Sequence, residues 1–247
     1  MTTLAHDDPV AEALVRAIQA GDLASLEHLL GEHAGLARAR IAGNRGGTRT
    51  PLHVVTDWPG YFPNGPGVVR MLIGSGADPD APATGGPHTE TPLHWAASSD
   101  DLEVADTLID AGADLEAPGA SIAGGPPLDD AVGYGCWHVA RRLVERGARV
   151  DRLWHAAALG MQARVEQLLE PEPTSSQDEL DHAFWQACHG GQRRMAQYLL
   201  GRGADVNWVP DYADGTPLDA AGDLDTRRGT LVTWLRERGA VSGRRPT

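Results

Sequence analysis

The sequence predicts an all-α solenoid: stacked helix pairs with projecting hairpin loops. Three observations carry this. Thr50-Pro51-Leu52-His53, Thr91-Pro92-Leu93-His94 and Thr216-Pro217-Leu218-Asp219 each open a stretch of small residues with helical character. About seven residues on, each stretch turns into a second apolar helix that ends in glycine and alanine. These endings are Gly76-Ala77-Asp78, Gly112-Ala113-Asp114, Gly147-Ala148, Gly203-Ala204-Asp205 and Gly239-Ala240. Helix starts near residues 12, 50, 91, 126, 151, 182 and 216 make the spacing a repeat rather than a coincidence.

The pattern resembles the ankyrin repeat family over nearly the whole chain. The resemblance divides residues 1–247 into seven repeats in a single domain, near 11–46, 47–85, 86–121, 122–150, 151–178, 179–210 and 211–242, with 243–247 a disordered tail. Repeat three, TETPLHWAASSDDLEVADTLIDAGADLEAP, matches best.

The elements follow from the residue types. In repeat one, Ala11 to Leu30 forms a capping helix pair with Glu12, Arg16, Gln19 and Glu27 on its polar side. In repeats two and three, Pro51 and Pro92 occupy the first helical position, where a missing N–H costs nothing. Thr50 and Thr91 precede them as caps. Ala96 and Ala97 keep the first helix thin, and Leu108 and Ile109 fill the space between layers. Gly112 and Gly203 suit left-handed helix ends. The resemblance gives His53 and His94 a structural role, bonding backbone between neighbouring hairpins. Repeats four and seven carry Asp129 and Asp219 there. Repeats five and six carry Trp154 and Trp185, which are expected to stack on each other. The last repeat ends in the charged Arg236, Glu237 and Arg238. No helix pair can bury its apolar face alone, so only stacking stabilises it.

Several segments depart from the pattern. Pro59 to Gly67 is an aromatic, Pro/Gly-rich insertion between the helices of repeat two, and 83–90 and 117–125 lengthen two hairpins. Repeat five lacks its hairpin, and 170–177 replaces its terminal turn. The row of hairpins is therefore expected to break after repeat four.

The resemblance also implies that first helices and hairpins line the binding face. That places Asp57, Trp58, Ser98, Ser99, Tyr134 and His189 at first-helix ends. Trp95, Asp130, His155 and Gln186 lie one turn earlier. Tyr61 lies in the insertion, and His88, Glu90, Trp208, Asp211 and Tyr212 lie in hairpins. Such a face is aromatic and acidic, with a few histidines. Trp58, Trp95 and Tyr134 with Asp57, Glu90 and Asp130 suit a cation by charge and by cation–π attraction.

Composition narrows the function. The formal charge is −13, which argues against nucleic acid or an anionic membrane as partner. All 21 basic residues are Arg. Residues 1–123 hold 17 acids and 6 Arg, against 17 and 15 in the remainder, so the first half attracts basic partners. Cys136 and Cys188 fall in repeats separated by a layer. Helices pack about 8–10 Å apart, and a disulfide needs Cα atoms within about 7 Å, so none is expected. No apolar run spans a bilayer. MTTLAHDDPV lacks a basic start and an apolar stretch, so no signal peptide is expected and a reducing cytoplasm is.

No metal motif is present; His182 and His189 stand two turns apart. Asp57, Asp130, Tyr134 and His189 are acid–base groups, but their spacing does not show convergence, and no nucleophile elbow, Walker loop or dinucleotide-binding turn occurs. The sequence therefore favours a binding module, without cofactor, over an enzyme. Its expected partner is a protein, basic in character, and its capped ends permit a monomer. The alternative is a pocket for a small cationic or aromatic ligand, catalytic if the acid–base groups converge. That pocket would be lined by Asp57, Trp58, Trp95, Asp130 and Tyr134.

Overall fold

Proline sets where the first helices begin. In the computed structural model, which describes residues 2–43, 46–86, 89–170, 176–222 and 229–243, Pro9, Pro51, Pro92, Pro127 and Pro217 each open a helix. The helices, in pairs, are α1 (Pro9–Ala20) and α2 (Leu23–Glu32), α3 (Pro51–Thr56) and α4 (Gly65–Gly74), α5 (Pro92–Ser98) and α6 (Leu102–Asp110), then α7 (Pro127–Gly133) and α8 (Trp137–Glu145). They continue with α9 (Leu153–Ala158) and α10 (Gln162–Leu169), α11 (Gln177–His189) and α12 (Arg193–Gly201), then α13 (Pro217–Gly222) and α14 (Gly229–Glu237). None is long and apolar enough to cross a membrane. The chain divides into two compact units, Met1–Ala148 and Arg149–Thr247.

In the first unit α1, α3, α5 and α7 pack in sequence, and α2, α4, α6 and α8 form a second row beside them. First helices touch neighbours on both sides, which is why every residue of α3 is buried. The alanines at 96, 97 and 131 let these helices approach closely, while Leu52, Leu72, Leu93, Leu108, Leu128 and Leu143 fill the space between rows at zero exposure. In the second unit α9, α11 and α13 form the first-helix row, paired with α10, α12 and α14, and Phe184, Leu199 and Leu231 are its largest fully buried side chains.

The TPLH motif works as a two-sided connector. The Thr91 N–H donates to His94 Nδ1 at 3.0 Å, which leaves the ring proton on Nε2, 3.1 Å from the Gly125 carbonyl in the next hairpin. His53 repeats this, with Nε2 3.0 Å from the Glu90 carbonyl. Burial pushes the His53 imidazole down to about 4, so the ring is neutral as this geometry requires. In the second unit Trp185 does the same job: its Nε1–H donates to the Gly215 carbonyl at 2.8 Å. The expected stacking of Trp154 on Trp185 is corrected here. The ring lying on Trp154 is His182, at 5.1 Å and 21°.

Two features lie outside the repeat pattern. β1 (Thr3–Leu4) pairs in parallel with β2 (Arg40–Ala42), which pairs antiparallel with β3 (Thr48–Arg49). The first hairpin thus becomes a small sheet, bridged onward through Thr48 and Thr84. The 59–67 insertion is pinned on both sides. Asn64 Nδ2 donates to the Gly21 carbonyl at 2.8 Å, the Tyr61 N–H to Asp101 Oδ2 at 2.6 Å, and the Tyr61 hydroxyl to the Asp100 carbonyl. Gly21, at φ 62°, ends α1, and a Cβ there would sit 2.0 Å from the Pro63 carbonyl oxygen. The proposed tail and the 170–177 connection lie largely outside the described residues, as does His88.

Asp100 caps a helix in the next repeat. Cys136, which precedes α8, has no side chain able to cap it. Asp100 Oδ1 instead accepts from the His138 and Val139 N–H groups at 3.1 and 2.9 Å, and Oδ2 lies 2.6 Å from His138 Nδ1. Asp100→Ala is expected to lower the unfolding free energy by about 1–2 kcal/mol, the cost of a lost N-cap. Urea unfolding would measure it; a change below about 0.3 kcal/mol would refute the cap.

Candidate functional site

The C-terminal ends of α3, α5 and α7 lie in adjacent layers. Ser99 Oγ donates to the Thr56 carbonyl at 3.3 Å, and Cys136 Sγ lies 3.3 Å from the Ser98 carbonyl. The exposed aromatics of the first unit lie at or just after these helix ends. Trp58 follows α3 and is 81% exposed, Tyr61 is 63% exposed, and Tyr134, the C-cap of α7, is 55% exposed. Trp58 and Tyr61 belong to the second repeat and Tyr134 to the fourth, with the end of α5 between them; exposed large aromatics on one end of a helix row mark a binding surface. Ser98 sits half-buried between them, its hydroxyl donating back to the Trp95 carbonyl at 3.0 Å.

A separate cleft of about 1000 Å³ opens between α1, the small sheet and the following hairpin, with Asp57, Glu90 and Trp95 on its wall. Asp57 is ion-paired with Arg49. Trp95 is clamped: its Nε1–H donates to Glu90 Oε2 at 3.2 Å, and its ring meets the buried His53 edge-on at 4.8 Å. The expected five-residue pocket is not assembled. Trp58, Asp130 and Tyr134 do not line this cleft.

Asp130 and His155 are corrected more strongly. Both were expected on an open face, and they are 0% and 1% exposed. First helices are enclosed by neighbours, so a position one turn before the helix end faces inward. Above Asp130 the 117–125 hairpin completes the enclosure. Ser121 Oγ donates to Asp130 Oδ1 at 2.8 Å and lies 3.0 Å from the Tyr134 hydroxyl, and the Ile122 N–H donates to the same carboxylate oxygen at 3.2 Å. Burial, reinforced by the Glu90 carboxylate, pushes Asp130 up to about 7 despite these bonds. Its Oδ2 is buried without a hydrogen-bond partner.

In the second unit the remaining candidates gather around His182. Its Nε2 lies 2.6 Å from the Tyr212 hydroxyl, which also accepts from Gln186 Nε2 at 2.8 Å. Trp208 lies 5.7 Å from the imidazole and donates to Asp178 Oδ1 at 3.2 Å. Burial pushes His182 down to about 4. His189 is half-buried against Trp185, with ring centroids 5.1 Å apart. Among the described residues, no group of three or more His, Cys, Asp or Glu could hold a metal ion. Both cysteines are buried and neither forms a disulfide, and burial pushes the Cys136 thiol up to about 12, so it is not a reactive thiolate.

Sequence reasoning missed three contributors: Arg49 as the partner of Asp57, Ser121 as the cover of Asp130, and His182 as the centre of its cluster. His182 stands three residues before Trp185, a spacing that places both on one helix face. That was the one available signal.

Comparison with known proteins agrees with the geometry. The family model described as "Ankyrin repeats (3 copies)" matches residues 14–118 and 61–152. An ankyrin repeat and KH domain-containing protein of Caenorhabditis briggsae is 28% identical over 154 residues, 59% of this chain. The match covers 6% of that relative's length.

Proposed function

Because the chain belongs to the ankyrin repeat family, whose repeats generally mediate protein–protein interaction, we propose that its first unit docks a protein partner on the ends of α3, α5 and α7. Trp58, Tyr61 and Tyr134 serve as anchors. The observation that carries this reading is the exposure of three large aromatics, Trp58 at 81%, Tyr61 at 63% and Tyr134 at 55%. Large aromatic side chains dominate binding energy when a partner desolvates them. The helix rows hold the patch in place, so little ordering is required on binding.

The partner is basic. Residues 1–123 carry 17 acids against 6 Arg, and this field speeds encounter with a cationic surface. Buried cysteines outside any disulfide suit a reducing compartment such as the cytoplasm.

A photo-crosslinking residue at position 61 would capture the partner for identification. The purified pair is then titrated with wild type and with the Trp58→Ala/Tyr134→Ala double variant. Two anchors at about 1–2 kcal/mol each predict binding weaker by about 30-fold or more. Unchanged affinity in a folded double variant would remove this patch from the account.

A further inference from the structure

We propose that the cleft of the first unit binds a small organic ammonium with an aromatic body, using Glu90 as counter-charge and the Trp95 indole as stacking surface. This goes beyond the protein-docking reading and rests on different residues.

The cleft volume of about 1000 Å³ is that of a small-molecule site. Val15, Ile41 and Ala42 give it an apolar wall. Its other carboxylates are compensated: Asp57 pairs with Arg49, and Glu12 with Arg16 at 3.5 Å. Among the described residues, Glu90 pairs with no cation. Its neighbour His94 is driven toward the neutral form by burial. Behind Glu90 stands a second acid, Asp130, fully buried and with Oδ2 unpartnered. Two carboxyl groups side by side in a low-dielectric setting leave a negative potential that a ligand cation relieves.

The indole completes the recognition. Tryptophan gives the strongest cation–π attraction of the aromatic side chains. Trp95 is already fixed, by its bond to Glu90 on one side and by the His53 ring on the other. The Glu90 backbone is anchored too, since its carbonyl accepts from His53 Nε2 and from the Ala83 N–H at 2.8 Å. The counter-charge and the stacking surface are therefore preorganised.

Isothermal titration at pH 7.5 with tryptamine, and with its uncharged analogue tryptophol, tests the proposal. Tryptamine is expected to bind wild type, with tryptophol at least tenfold weaker. Glu90→Gln, which retains an acceptor for the Trp95 N–H, should weaken tryptamine at least tenfold and leave tryptophol unaffected. Trp58→Ala, which alters the docking patch and lies outside the cleft, should bind tryptamine like wild type, which separates this site from that patch. Absence of tryptamine binding to wild type up to millimolar concentration would overturn the proposal, as would equal affinity for the two compounds. The analogue comparison uses unaltered protein, so it decides the matter even if a variant fails to fold.

Discussion

Phe184→Ala is expected to lower the unfolding free energy by about 3–5 kcal/mol. Phe184 is the largest fully buried side chain among the described residues. It lies in α11, which packs on α9, α12 and α13 at once. Truncation removes its transfer free energy and leaves a void that helices fixed on several sides cannot close. Gly190, at the end of the same helix, shows how tight this packing is: a Cβ there would sit 2.1 Å from the Ala158 carbonyl oxygen. The expected loss is a large share of the about 5–15 kcal/mol that holds a typical domain folded. Urea unfolding followed by far-UV circular dichroism would measure it. A loss under about 1 kcal/mol would mean the space collapses, against the packing described.

Asp130→Asn is expected to change stability in a strongly pH-dependent way. Asp130 moves from 3.8 in the unfolded chain to about 7 in the folded one. Between those values the folded protein binds a proton that the unfolded chain does not. The stabilisation linked to that proton is full below pH 3.8 and disappears as pH rises through 7. Asparagine keeps the acceptor for Ser121 and Ile122 and has no charge to bury. The variant should therefore gain about 2 kcal/mol on wild type when pH is raised from 5 to 8. Urea unfolding of both proteins at each pH measures the change that Asp130 makes together with its neighbour Glu90. A stability difference that does not vary with pH would refute the raised value.

The helix pairs were legible because their signals are local. Proline at a helix start, threonine before it, alanine pairs and a terminal Gly-Ala each act within a few residues. The connector role of His53 and His94 was legible from the resemblance, since the bond it makes is the same in each layer. What escaped depends on neighbours distant in sequence. The three-stranded sheet needs residues 3–4 to meet 40–42. Asp100 caps a helix 38 residues away. Asp130 reads as a surface acid until the 117–125 hairpin is placed over it. Of the candidate residues, Trp58, Tyr61 and Tyr134 are exposed, as their places in the repeat and the insertion lead one to expect. The cleft was misassigned because its wall draws on α1 and the sheet, which the repeat pattern does not describe.

The exchange of histidine for tryptophan in the hairpin connector carries one more implication. The imidazole rungs at residues 53 and 94 hold only while the ring keeps a lone pair, and strong acid removes it; at His53 this happens near pH 4. The indole rung at Trp185 has no such lone pair to lose. Acidification therefore attacks the ladder of Met1–Ala148 at its crossbars and spares the corresponding crossbar of Arg149–Thr247.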